Sequence, residues 1–211
     1  MEILWYGHAC FKITGGGVVL VTDPTVGSEQ VIGSSSKVDI VTISHKAPDH
    51  SSYQNLSGNP KIIDGPGEYE ISNVNIRGLG TAFNSAEDPH QINTMYVIEI
   101  EGIVVCHLGS LNDIPSSREM GVLGDASILL VPAGNGTAID QKKAVELVHR
   151  ISPKIVVPMH YRTSTDEPHL EPVEPFLKEL GVKEPERRQK LNITRTSLPS
   201  ETRVVILEKV T

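Results

Sequence analysis

The sequence predicts an α/β fold (α+β by some schemes), with mixed β-sheets flanked by helices. Its first half contains short β-branched runs separated by glycine-rich turns, which are typical of strands. Its second half alternates apolar strand-like runs with segments of helical periodicity. Hydrophobic residues make up 38% of the 211 residues, enough for a sizeable core, so we expect one domain over residues 1–211.

The first half predicts eight strands. They are residues 3–6, 10–14, 18–22, 38–43, 61–63, 74–76, 94–100 and 103–106. Three consecutive glycines at 15–17 can adopt positive φ and favour a hairpin between the second and third strands. The run 38–43 is almost entirely apolar, as expected for a strand covered on both faces, and it follows a predicted Gly/Ser-rich loop at 33–36.

The second half predicts strands at 127–131, 155–157 and 203–208, with two helices between them. Ala144, Val145, Val148 and Ile151 have helical spacing, and Thr137 or Asp140 could cap that helix. A second apolar stripe over 173–180 is stopped by a glycine at 181. The polar, proline-flanked segment 185–199 is predicted to be a surface excursion.

Composition excludes several classes of function. With 19 basic and 26 acidic residues the net charge is −7, which disfavours binding to nucleic acid or anionic lipid. No run approaches the ~18 apolar residues of a membrane span, and the first residues lack the features of a signal peptide. Two cysteines are too few for a disulfide scaffold. We therefore expect a cytoplasmic protein; the sequence carries no signal for an oligomeric state.

Histidines follow three of the predicted strands. His45, Asp49 and His50 come directly after the buried strand 38–43, while His107 and His160 follow two later strands. Strand ends are where α/β folds present ligands, and imidazole and carboxylate are suitable ligands for zinc, iron or manganese. A single histidine at a strand end can equally be a hydrogen-bonding residue, so the cluster at 45–50 carries more weight than the other two.

The segment 44–50 resembles the H-x-H-x-D-H metal-binding loop of the metallo-β-lactamase superfamily. Other segments resemble, in the same order, motifs of its lactonase-like hydrolase branch. These are YGHACF at 6–11, TDP at 22–24, GPGEYE at 65–70, CHLGS at 106–110, VPAG at 131–134 and PMHY at 158–161. The resemblance implies a four-layer αββα sandwich made of two pseudo-symmetric halves.

The resemblance implies a place for two metals, but three ligand positions have changed. The second histidine of the loop is Ala47, a mid-chain histidine is matched by Asn84, and the aspartate that bridges both metals is matched by Ser110. Alanine has no donor atom, and neutral oxygens are poor replacements for imidazole and carboxylate around zinc. A two-metal centre is therefore not expected.

The ligands of the other metal are retained. They are Asp49, His50 and His160, and His45 is a candidate fourth ligand. The resemblance thus implies at most one divalent metal, with zinc foremost and iron or manganese as alternatives, or no metal at all.

Two functions follow from this set. In the first, the protein is a hydrolase of a small-molecule substrate, in which metal-activated water attacks an ester, lactone or phosphoester. Asp49 and His50 would then carry catalysis, with Asp23, His107 and Ser110 arranged around the ligands. In the second, the chain is a binding or scaffold protein that has kept the fold without a working metal centre.

Overall fold

The computed structural model describes residues 1–47, 49–83, 91–136, 138–163, 167 and 169–210. Within these ranges the chain forms two β-sheets and four α-helices. The helices are α1 (Ser28–Ser35), α2 (Ser117–Leu123), α3 (Gln141–Ile151) and α4 (Glu174–Glu179). The strands are β1 (Glu2–Trp5), β2 (Phe11–Gly15), β3 (Val18–Thr22), β4 (Ile40–Thr42), β5 (Lys61–Ile63), β6 (Gly67–Ile71), β7 (Val74–Ala82), β8 (Ile92–Ile100), β9 (Ile103–His107), β10 (Ile128–Pro132), β11 (Ile155–Met159), β12 (Glu186–Arg188), β13 (Leu191–Asn192) and β14 (Arg203–Leu207).

Each sheet combines an antiparallel part with a parallel part. The six-stranded sheet has the order β13-β1-β2-β3-β4-β5, in which β3, β4 and β5 are parallel. The eight-stranded sheet has the order β12-β14-β11-β10-β9-β8-β7-β6, in which β9, β10, β11, β14 and β12 are parallel. The carboxyl ends of the parallel strands in one sheet lie at a common edge, where loops can collect functional side chains.

The layers follow from the alternation of side chains along the strands. In β3, Leu20 points into the core between the sheets, whereas Val21 points to the outer face of the six-stranded sheet. Ile32 of α1 packs on that outer face together with Val21 and Val41. Helices α3 and α4 pack against each other, and α3 covers β10 of the other sheet. The expected four-layer αββα sandwich is confirmed.

Most predicted elements are present, with shifts of a few residues at their ends. The helix predicted from 140 is α3, and the side chain of Asp140 accepts a hydrogen bond from the backbone N–H of Lys143, as an N-cap should. The second predicted helix is α4, and Gly181 after it adopts positive φ. The loop predicted at 33–36 is wrong, because the last turns of α1 occupy most of it.

The segment 185–199 is more ordered than predicted. It contains β12 and β13, each of which pairs at the outside of a sheet. Within the ranges described above, no helix has both the length and the apolar character needed to cross a membrane.

Tyr96 of β8 ties the two sheets together close to the loop that follows β4. Its buried hydroxyl lies 2.8 Å from the backbone oxygen of Ile43 and 3.0 Å from that of Ile63. The backbone N–H of Thr94 also donates to the carbonyl of Ser44 at 2.8 Å. The beginning of the 44–50 loop is therefore fixed by the opposite sheet.

Replacing Tyr96 with phenylalanine should destabilise the fold by about 1–3 kcal/mol, because the buried carbonyl of Ile43 loses its donor. Urea unfolding followed by circular dichroism measures the change. Tyr69→Phe is the matched control, since its hydroxyl also faces backbone oxygens but is only half-buried, so that water can replace it. Equal effects of the two substitutions would contradict the role given to Tyr96.

Candidate metal centre

Five loops bring polar side chains to one edge of the sandwich. In the six-stranded sheet they follow β1, β3 and β4; β1 is parallel to β3 because each pairs antiparallel with β2. In the eight-stranded sheet they follow β9 and β11. The loops contribute His8, Asp23, His45, Asp49, His50, Ser110 and His160, with His107 at the end of β9. The two sheets are joined here by a bond from the backbone N–H of His160 to the carbonyl of His8, at 2.9 Å.

Asp23 is fully buried and holds the start of the loop after β4. One carboxylate oxygen accepts the backbone N–H of Ser44 at 2.6 Å, and the other accepts the Ser44 hydroxyl at 2.6 Å. The second oxygen also lies 2.8 Å from Nδ1 of His50. Because Nδ1 carries the proton in this contact, Nε2 of His50 is the nitrogen left to face the cavity.

The buried pair has coupled ionisation. Burial alone would raise the pKa of Asp23, but the positive charge of His50 and its hydrogen bond lower it below the ordinary value of 3.8. Burial alone would lower the pKa of His50, but the charge and hydrogen bond of Asp23 raise it above 6.5. The two residues therefore stabilise each other's charged forms.

Asp49 and His160 complete the cavity beside His50. The Oδ2 atom of Asp49 lies 3.5 Å from Nε2 of His50 and 4.0 Å from Nε2 of His160. Burial opposes ionisation of Asp49, yet the nearby imidazoles of His160 and His50 place its pKa well below the ordinary value. The three side chains predicted as retained ligands therefore face one another, although His160 lies more than a hundred residues along the chain from the other two.

A close backbone contact places His160. It follows β11 and adopts positive φ, a conformation uncommon for residues other than glycine. The backbone N–H of Gly134 donates to the His160 carbonyl at 3.1 Å, and a β-carbon at position 134 would lie only 2.3 Å from that oxygen. Glycine at 134 therefore permits the turn that delivers His160.

His45 lies at the side of this group. Its ring centroid lies 4.1 Å from that of His50 and 4.6 Å from that of Phe83, in tilted arrangements, and its Nδ1 is 3.1 Å from the Ser44 hydroxyl. Burial and the charge of His50 lower the pKa of His45 to about 4, so that it is neutral at physiological pH.

His107 and Ser110, predicted around the ligands, take different positions. Nε2 of His107 lies 2.9 Å from the carbonyl of Ala9, and its Nδ1 accepts the backbone N–H of Gly109 at 3.3 Å. With both nitrogens engaged, His107 is a structural residue 3.9 Å from Asp23. Ser110 does reach the cavity, because its hydroxyl lies 3.4 Å from Nε2 of His50.

His8 was not predicted as a ligand. One of its ring nitrogens nevertheless lies within 4.8 Å of ligand atoms of both Asp49 and His160. The sequence shows only that His8 follows a strand; its proximity depends on the parallel relation of β1 to β3. Asn84, matched above to a lost ligand, lies outside the described residues.

The donor set suits one divalent metal. Four ligands at 2.0–2.1 Å in tetrahedral zinc sites are about 3.3 Å apart, close to the 3.5 Å and 4.0 Å found around Asp49. Two imidazoles and one carboxylate with an open position also form a recognised arrangement for non-haem iron.

The profile of the Beta-lactamase superfamily domain matches residues 2–160, about three-quarters of the chain. The chain belongs to the metallo-β-lactamase superfamily. A UPF0173 protein of Pyrococcus abyssi is 31% identical over 186 residues, which cover 77% of this chain and 84% of the relative. A UPF0173 metal-dependent hydrolase of Thermoplasma volcanium is 26% identical over 189 residues, covering 77% and 84% of the two chains.

A solved structure agrees in fold. A proposed Zn-dependent hydrolase of the metallo-β-lactamase superfamily from Thermotoga maritima superposes with a TM-score of 0.80 and 33% identity. The superposition covers 98% of this chain and 97% of that one. The shared fold therefore extends beyond the residues matched by the superfamily profile.

Two positions predicted above as changed ligands lie in the loops after β4 and β9. Ala47 places a methyl group in the loop after β4, and Ser110 places a neutral hydroxyl beside His50. His45 is the sole imidazole left from the first half of the loop motif. Among the described residues, these three do not provide the donors that a second metal would need.

Asp23→Asn in chelator-treated protein should lower the unfolding free energy by about 3–5 kcal/mol near pH 6, because it breaks a buried charged pair. His50 has a raised pKa, so its contribution is present below 6.5 and is lost as the pH rises through the folded-state pKa. The difference from wild type should therefore be smaller at about pH 9. Asp39→Asn is the control, since Asp39 also accepts a backbone N–H but is exposed. A difference that does not vary with pH would contradict the charged pair.

Proposed function

We propose that the protein is a metal-dependent hydrolase with a mononuclear centre held by Asp49, His50 and His160. The observation that carries this proposal is that Oδ2 of Asp49 lies 3.5 Å from Nε2 of His50 and 4.0 Å from Nε2 of His160 at the strand ends. Relatives described as metal-dependent hydrolases support the same class of reaction. Asp49, His50 and His160 supply ligands that a metal-dependent hydrolase needs for one ion. The donors missing from the second site limit the proposed centre to that one ion.

A divalent metal bound there would generate hydroxide from water near neutral pH and polarise a substrate oxygen. The protein's own residues prepare the site for it. Asp23 accepts a hydrogen bond from Nδ1 of His50, so that Nε2, once it has lost its proton, is the nitrogen that can face a cation. Asp49 remains ionised because its pKa is low, so that it needs no proton loss on binding a cation.

Ser110 gives the cavity a hydroxyl where the superfamily motif has a bridging carboxylate. It can hold a hydrogen bond to water or substrate, but it adds no negative charge. The substrate classes we propose are small esters, lactones or phosphoesters, with zinc as the first metal to test and iron or manganese next.

A binding or scaffold role without catalysis is the second candidate. It is favoured by Ala47 and Ser110, which remove donors from the centre. Metal content separates the two functions, because a scaffold has no need of an occupied centre.

Protein purified without chelator and supplied with zinc, iron or manganese should retain about one metal ion per chain, as expected for a single set of three protein ligands with an open position. His160→Ala should reduce this below about a tenth of an equivalent, because it removes one of three ligands. Elemental mass spectrometry measures both values. His149→Ala, an exposed histidine in α3, is the control and should leave the content unchanged.

Hydrolysis of an ester, lactone and phosphodiester panel by the loaded enzyme should fall with the metal content of the His160 variant. A folded wild-type protein that takes up less than about a tenth of an equivalent under all three conditions would exclude the metallohydrolase. Full metal content without turnover of any of the three substrate classes would support the metal site and contradict the proposed hydrolysis.

Ser110→Asp should tighten binding of the single metal by about tenfold or more, because it adds a carboxylate beside His50 where a cation can neutralise it. Competition with a chromophoric chelator measures the affinity. Ser34→Asp, on the exposed side of α1, adds the same charge away from the site and serves as control. Weaker binding by Ser110→Asp would show that position 110 does not face the metal.

A further inference from the structure

The candidate centre has a fourth side chain that the superfamily motifs do not assign to metal binding. We propose that His8 is a metal ligand of this protein and that Glu167 is the residue that positions it. The proposal rests on the metal-dependent function above and adds one imidazole to Asp49, His50 and His160. The ion that these side chains would bind is a divalent cation that accepts nitrogen and carboxylate-oxygen ligands.

Proximity is the first observation. One ring nitrogen of His8, a carboxylate oxygen of Asp49 and a ring nitrogen of His160 all lie within 4.8 Å of one another. The rings of His8 and His160 have centroids 5.9 Å apart, which leaves room for an ion between their edges. Bringing these atoms to bonding distance needs a contraction of at most about 1.5 Å, since ligands of one ion at 2.0–2.1 Å lie about 3.3 Å apart.

The hydrogen bonding of the His8 ring is the second observation. Its Nε2 lies 3.1 Å from Oε1 of Glu167, and its Nδ1 is buried with no hydrogen-bond partner in the described structure. A buried ring nitrogen without a partner is costly unless something absent from the structure binds it. With Nε2 engaged by a carboxylate, Nδ1 is the nitrogen available to a cation.

Glu167 is itself held firmly. Its other carboxylate oxygen accepts the backbone N–H of Thr163 at 2.9 Å and the Thr163 hydroxyl at 3.2 Å. A fixed anion behind an imidazole is the arrangement that most metal-ligating histidines show.

The same arrangement occurs at His50. There Asp23 engages Nδ1 and leaves Nε2 toward Asp49; at His8, Glu167 engages Nε2 and leaves Nδ1. Two imidazoles, each backed by a buried carboxylate, thus stand on either side of Asp49. This repetition is what favours a ligand role for His8 over a simple surface ion pair.

The backbone of His8 is also adapted to its position. The residue adopts positive φ, and its carbonyl accepts both the His160 backbone N–H at 2.9 Å and the Trp5 indole N–H at 3.0 Å. Such a conformation is costly for a residue with a β-carbon and is commonly found at functional sites. These bonds couple the placement of His8 to that of His160.

The test is a cobalt titration of chelator-stripped wild type, His8→Ala, His8→Asn and Glu167→Ala. Visible absorption reports the ligand field of bound Co²⁺, and competition with a chromophoric chelator gives its affinity. Both His8 variants should bind at least tenfold more weakly, with a changed visible spectrum, because one nitrogen ligand is lost. Glu167→Ala should weaken binding by about 10–100-fold with the ligand set retained. Circular dichroism verifies folding, and His149→Ala is the matched histidine control.

The outcomes separate this inference from the proposed function. Wild-type affinity and spectrum in both folded His8 variants would overturn the ligand role of His8 and leave the three-ligand centre intact. Loss of binding in His160→Ala but not in the His8 variants would do the same. If the wild-type protein binds no cobalt, both the proposed metal centre and the ligand role of His8 are contradicted.

Discussion

The site depends on the buried carboxylate of Asp23. Three donors meet its two oxygens, from the Ser44 backbone, the Ser44 hydroxyl and the His50 ring. A buried charge is tolerated only when it is paired and hydrogen-bonded, and each of these contacts also fixes one part of the loop after β4. The direction of the His50 ring, and with it the geometry around Asp49, follows from this one group.

The topology of the two sheets brings His160 close to the loop that Asp23 holds. Asp23 and the 44–50 loop follow parallel strands of one sheet, whereas His160 follows a strand of the other. The Tyr96 hydroxyl and the bond between His160 and His8 join the two sheets at this edge. Groups far apart in the chain therefore meet in a rigid setting, and a metal would need to pull them together by only about 1 Å.

The strands could be predicted because their signals are local. The strand at 18–22 has the predicted bounds, and the histidines at 45, 50 and 160 follow apolar runs. Helix α1 was missed because its glycine and serines have low helix propensity, so that packing of Ile32 against the sheet decides it. The edge strands β12 and β13 pair through backbone groups and carry no apolar alternation. The surroundings of His107 and His8 depend on contacts with distant chain segments, which no local pattern contains.

Taken together, the departures from the two-metal motif are electrostatically consistent. An aspartate at 110 would place a third carboxylate near Asp23 and Asp49, beside His50. Two metal ions would neutralise that charge fully, whereas without a bound cation it would add like-charge repulsion in a largely buried cavity. Alanine at 47 removes a nitrogen donor from the first metal, and serine at 110 removes the carboxylate that such a metal would need. Because alanine removes a ligand of the first metal and serine removes the carboxylate whose charge that metal would neutralise, the proposed centre for a single ion is a coherent state of this site rather than a damaged form of the two-metal one.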